Sequence, residues 1–140
     1  MKNQRYKIKQ VPVPASINVA PTVIQAGFPS PADDFKEDEI DLNDILITNK
    51  KATFLVKVSG DSMIDIGIYP GDKLLVDRSL KPRHNSIVIA CIENEFTVKR
   101  LIQKHGKWLL KAENKQYSEL HFCSNIDFIL GVVTFNLHAL

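Results

Sequence analysis

The stretch TFLVKVSGDSMIDIGIYPGDKLLVD, residues 53–77, holds two apolar runs of strand length with a polar break between them. TFLVKV (53–58) and KLLVD (73–77) are rich in β-branched and aliphatic residues, which suit a pleated, half-buried surface. The break opens with Ser59, Gly60, Asp61 and Ser62 and closes with YPGD (69–72), where proline presets φ and glycine allows it to turn positive. A strand that stops at Gly60 and turns presents the Ser62 hydroxyl at a sharp corner. Such a serine ends a strand in the ordinary way, or it acts as a nucleophile if a base stands beside it.

Further strand candidates lie on the C-terminal side. They are SIVIACI (86–92), EFTVKRLI (95–102), KWLLKA (107–112) and DFILGVVTFNL (127–137). KPRHN (81–85), Asn94, HG (105–106) and AENKQYS (112–118) separate them with turn chemistry. Short strands at regular spacing, with no long helical period, predict a mostly β fold: a rolled or barrel-like antiparallel domain. The run GVVTF (131–135) is expected as an exposed apolar edge, available to a second copy of the chain.

The N-terminal side differs. Residues 1–36 carry Pro12, Pro14, Pro21, Pro29 and Pro31, five of the seven prolines. Proline removes donors and favours extended backbone, so 1–36 reads as an extended arm and 37–140 as the β-rich domain. One short helix is expected at DLNDILI (41–47), with Asp41 as N-cap and Leu42, Ile45 and Leu46 on one face.

Composition narrows the function classes. The chain has 140 residues, 44% apolar and 24% charged, as a soluble domain with its own core requires. A net charge of +2 with no dense basic block gives no strong signal for direct DNA binding. No apolar run approaches the roughly 18 residues of a membrane span, so no membrane partner is expected. The basic N-terminus lacks the apolar region of a secretory signal, which points to a cytoplasmic protein. Cys91 and Cys123 then read as reduced residues in strands.

A serine hydroxyl needs a base. His84, His105, His121 and His138 show no spacing that suggests a dyad, and none pairs with a cysteine at metal-ligand spacing. No metal or cofactor is therefore expected. Lys99 is the other candidate. It lies within a strand-forming run, with Thr97 and Leu101 on its face and Phe96, Val98 and Arg100 on the other. Drawn into apolar surroundings, a lysine loses its proton more readily and becomes a base. The alternative is a lysine whose stem lies along a strand edge while its ammonium stays in water.

SGDSMIDIGIYPGDKLLVD followed by IVIACIENEFTVKRL resembles the LexA-like family of self-cleaving serine peptidases. Ser62-Met63, Gly71-Asp72 and Lys99-Arg100-Leu101 match the family pattern in order and spacing, and the likeness runs from about residue 26 to the C-terminus. The family cuts itself at a small residue followed by glycine, and VIQAGFPSPADDF supplies Ala26-Gly27. The resemblance implies that Ser62 attacks the Ala26 carbonyl while neutral Lys99 accepts its proton. The N–H groups of Asp61 and Ser62 are candidates to hold the oxyanion, since a turn points successive N–H groups outward. Asp61 and Asp65 otherwise read as turn or capping residues.

The resemblance further implies an SOS-response role. Cleavage is stimulated by a RecA–single-stranded DNA filament during DNA damage. The shortened product forms a homodimer and joins the UmuC-type subunit of an error-prone, lesion-bypassing polymerase. Two alternatives stand beside it. A LexA-like repressor fragment needs a DNA-binding domain ahead of the cut, where this sequence has 26 residues. A catalytically silent interaction domain makes Ser62 and Lys99 structural.

Overall fold

The computed structural model describes residues 4–7, 16–19, 24, 26–27, 38–117 and 120–140. The extended backbone expected around the five N-terminal prolines lies outside these residues. By contacts the chain divides into two units, Met1–Gln10 with Asn49–Leu140, and Val11–Thr48.

The larger unit is built on one sheet. Its strands are β1 (Gln4–Lys7), β4 (Thr53–Lys57), β5 (Lys73–Asp77), β6 (Ile87–Ile92), β7 (Glu95–Lys104), β8 (Lys107–Lys111), β9 (Leu120–Cys123) and β10 (Ile129–Leu137). They lie in the order β1-β4-β5-β10-β6-β7-β8-β9, and each adjacent pair is antiparallel. This is the mostly β, rolled antiparallel architecture the sequence predicts. β1 precedes Pro12 and keeps all its backbone donors, so it can pair with β4. The smaller unit holds β2 (Ser16–Val19) paired with β3 (Asp38–Asp41), then helix α1 (Leu42–Leu46).

Two apolar clusters cover the sheet, and the period of two assigns residues to them. Leu74, Val76, Ile89 and Val98 join Phe54, Val56, Val58, Met63 and Ile68 in the first. Val88, Ala90, Leu101 and Leu110 form the second, flanked by Trp108, Phe128 and Val132. Val88 and Ile89 are neighbours in sequence and belong to different clusters, so β6 is buried on both sides.

The turns follow the residues that allow them. Ile92 pairs with Glu95, and the two residues between, Glu93 and Asn94, have φ of 50° and 64°. Lys104 pairs with Lys107 across His105 and Gly106, at 51° and 74°. Both are two-residue hairpins with positive φ at each central position, which matches the twist of the strands they join. Asp41 caps α1 as expected, its side chain accepting the Asn43 N–H at 2.9 Å. Ile45 is 53% exposed and does not share in the burial of that face.

One expectation is corrected. GVVTF is not a free edge: β10 is an interior strand, and Val132 pairs with Asp77 of β5 on one side and Val88 of β6 on the other. Only from Val133 to Leu137 does the register run with β5 alone, among the described residues. The sequence also gave no sign of β9, whose Leu120 and Phe122 are exposed at 49% and 66%. An edge strand without a buried face lacks the alternation by which strands are read.

Candidate active site

The chain leaves β4 at Lys57 and enters the turn that carries Ser62. Val58 donates its N–H to the Asp72 carbonyl, and Gly71 donates back to the Val58 carbonyl. This closes the loop from 58 to 72 at its base. Within it, Ile64–Ile66 form one turn of 3₁₀ helix. Ser62 does not stand at an open corner: it is 3% exposed, and Met63 is 1% exposed within the first apolar cluster. Burial of the methionine pulls the serine down with it.

Lys99 projects from β7, opposite Val88 of β6. Val88 and Leu101 belong to the second cluster, so the lysine stem shares the face that alternation predicts. Its Nζ lies 3.1 Å from Ser62 Oγ, across 37 residues of sequence. The contact serves either protonation state. An ammonium donates to the hydroxyl oxygen, and a neutral amine accepts the hydroxyl proton.

A second loop, 113–117, holds the serine turn in place. Asn114 Nδ2 donates to the Asp61 carbonyl at 2.8 Å, and the Tyr117 hydroxyl donates to Asp61 Oδ1 at 2.6 Å. The Tyr117 phenol is held above its ordinary pKa, first by that hydrogen bond and then by the Asp61 charge. The Glu113 N–H reaches Met63 Sδ at 3.3 Å, and the Glu113 carbonyl accepts the Asp65 N–H at 2.8 Å. Lys115 N–H donates to Asp65 Oδ2 at 3.0 Å. Asp61 and Asp65 thus act as turn anchors, in keeping with the sequence reading. Arg100, next to Lys99, donates to Glu113 Oε1 at 2.7 Å and to the Asn85 carbonyl at 2.7 Å. The strand that carries the amine and the turn that carries the hydroxyl are therefore joined through Glu113.

With this geometry in view, comparison with known proteins is decisive: residues 18–134 match the family described as Peptidase S24-like. The chain belongs to the S24-like peptidases. It is 46% identical to protein ImpA of Salmonella typhimurium over 114 residues, covering 81% of this chain and 78% of ImpA. It is 44% identical to protein MucA of Escherichia coli over 116 residues, covering 81% of this chain and 79% of MucA. With protein SamA of Salmonella typhimurium it shares 42% over 130 residues, covering 93% of this chain and 91% of SamA. These are UmuD homologues, so within the S24-like family the likeness is to UmuD.

The remaining S24-like site candidates are placed as follows. Ala26 and Gly27 are exposed, at a bend in the smaller unit, and Gly27 has φ +113°. Of the histidines, His84 accepts the Gln103 N–H through Nδ1 at 2.9 Å, and His138 pairs with Asp72. A separate cleft of about 380 Å³ is lined by Cys91, Glu93, His121, Cys123 and Phe128, among others, and includes neither Ser62 nor Lys99. Burial pushes the Cys123 thiol up, the wrong direction for a nucleophile. Both cysteines are free and lie in strands. No helix among the described residues is long and apolar enough to cross a membrane.

Sequence reasoning matched Arg100 to the family pattern without giving it a role, and it missed Glu113, Asn114 and Tyr117. AENKQYS was legible only as a break between strands. Nothing local marks Asn114 as the partner of a residue 53 positions away.

Proposed function

We propose that this S24-like protein cuts itself between Ala26 and Gly27 with a Ser62–Lys99 dyad, and that it serves SOS mutagenesis. One observation carries the reading: a buried serine hydroxyl 3.1 Å from a lysine amine, in a chain of a peptidase family. Neutral Lys99 accepts the Ser62 proton as Oγ attacks the Ala26 carbonyl carbon. The oxyanion is held by main-chain N–H groups of the turn, those of Asp61 and Ser62. As the intermediate collapses, the carbon–nitrogen bond breaks and Lys99 passes its proton to the Gly27 amine. Water, deprotonated by the same amine, then releases the acyl group and restores Ser62.

The wider role rests on the UmuD likeness. A RecA–single-stranded DNA filament stimulates cutting, and the shortened homodimer joins a UmuC-type polymerase subunit for error-prone lesion bypass in the cytoplasm. Identity spread over most of ImpA, MucA and SamA supports this reading over a repressor fragment.

The test is self-cleavage of the purified full-length chain, followed by mass spectrometry over a pH series. Wild type yields fragments that meet at Ala26-Gly27, and the rate rises with pH as Lys99 loses its proton. Ser62→Ala and Lys99→Ala remain folded and uncut. Normal cutting by either folded variant, or a flat pH response in wild type, would refute the dyad.

A further inference from the structure

The Asp61–Ser62 peptide is held by a side chain whose own orientation is fixed. Asn114 is 6% exposed and uses both ends of its amide. Its Oδ1 accepts the Gln116 N–H at 2.9 Å, and its Nδ2 donates to the Asp61 carbonyl at 2.8 Å. The two ends are not interchangeable. A flipped amide would face one N–H with another and one carbonyl with another. The Asp61 carbonyl also takes the Ile64 N–H at 3.3 Å, so it is drawn inward from two sides.

A peptide unit is planar, and in the trans form its C=O and N–H point in opposite directions. Binding the Asp61 carbonyl to Asn114 therefore turns the Ser62 N–H the other way. No hydrogen bond among the described residues uses that N–H. The Tyr117 bond falls on the Asp61 carboxylate instead, so it does not itself set the peptide plane.

We propose that Asn114 is a positioning residue: by holding the Asp61 carbonyl it sets the Asp61–Ser62 peptide plane and aims the Ser62 N–H at the developing oxyanion. This rests on the Ser62–Lys99 reading above. Donors that are fixed before charge develops need no reorganisation at the moment of reaction, and removing one costs about 10²–10³ in rate. Misaiming a donor without deleting it should cost less, about 10- to 100-fold.

The test uses the full-length chain with Asn114→Asp and Asn114→Ala. Aspartate keeps the acceptor for Gln116 and loses the donor for Asp61; alanine loses both without adding charge. Three quantities are read for each: the first-order self-cleavage rate across pH, the melting temperature, and the amide resonance of residue 62 by ¹⁵N NMR. The maximal rate should fall about 10- to 100-fold in both variants. The pH midpoint of Asn114→Ala should stay at the wild-type value, because Lys99 is untouched. The residue-62 amide should move while the chain stays folded at the assay temperature.

A wild-type maximal rate in both variants overturns the proposal. So does an unmoved residue-62 amide, or a rate loss that only follows the unfolded fraction. Failure of the underlying reading looks different. A Ser62→Ala chain that still cuts refutes the dyad and this role with it. A silent Ser62→Ala beside a full-rate Asn114→Asp refutes this role alone.

Discussion

Met63 ties the serine turn to the core. The side chain fills the first cluster at 1% exposure, and its sulfur accepts the Glu113 N–H, which leucine of the same volume could not do. Asp72 fastens the other end of the loop. It is buried, accepts the Tyr69 N–H at 2.8 Å and the Asn136 amide at 2.8 Å, and lies 2.5 Å from His138 Nδ1. Burial alone would raise its pKa, but the Tyr69 N–H, Asn136 and His138 outweigh burial and hold it below the ordinary 3.8. A carboxylate with a lowered folded pKa adds stability that is fully present above its unfolded value. That stability is lost as pH falls through the folded value. Melting temperature should therefore drop as the chain is acidified below about pH 4, and the gap between wild type and Asp72→Asn should narrow over the same range. A gap that stays constant from neutral pH to pH 3 would count against Asp72 as the anchor. Gly27 carries another prediction at this scale. At φ +113°, with open space where a Cβ would be, it excludes other residues by backbone strain alone. Gly27→Val should reduce cutting at least about tenfold with an unchanged melt, since the site is exposed. Unimpaired cutting there would move the cleaved bond elsewhere.

Among the elements, β10 does the most to organise the sheet. It pairs with β5 through one half and with β6 through the other, joining the strands that flank the serine loop to those that carry Lys99. The switch is made near Gly131, where the register with β6 shifts between Ile129 and Gly131. A Cβ at Gly131 would lie 2.7 Å from Val76 Cγ1 and 3.2 Å from the Asp77 carbonyl oxygen. Val76 is fully buried and stiff at χ1, so it has little room to yield. Gly131→Ala should cost about 1–3 kcal/mol in denaturant unfolding. A stability equal to wild type would mean that β5 and β10 separate more easily than their packing indicates.

At the scale of the whole molecule, the expected homodimer needs a surface other than the whole of GVVTF. The interior half of β10 is already paired. From Val133 onward one side of the strand has no partner among the described residues, and Phe135 and Leu137 are 42% and 40% exposed. Unpaired backbone beside apolar side chains is what a strand from a second copy can satisfy. Sedimentation at micromolar concentration should give a dimer, and Phe135→Lys should shift it toward monomer. A wild-type monomer at that concentration would refute the homodimer.

Read alone, the sequence carried the class of the fold, the turns at Asn94 and His105-Gly106, the capped helix at Asp41 and the candidate pair Ser62 and Lys99. Each of these depends on local chemistry: alternation, turn residues that accept positive φ, or a motif of fixed spacing. Strands β1, β2, β3 and β9 were not legible. DEID has little intrinsic strand preference, and LHFC buries little of its surface; both become strands only through their partners. The interior place of GVVTF had the same cause, because a strand's neighbours are set by the whole sheet. Only the tertiary structure brought Lys99 to Ser62 across 37 residues and Asn114 to Asp61 across 53. Side-chain hydrogen bonds at such separations leave no periodic trace, since each partner is chosen by the packing of strands that sequence spacing does not order.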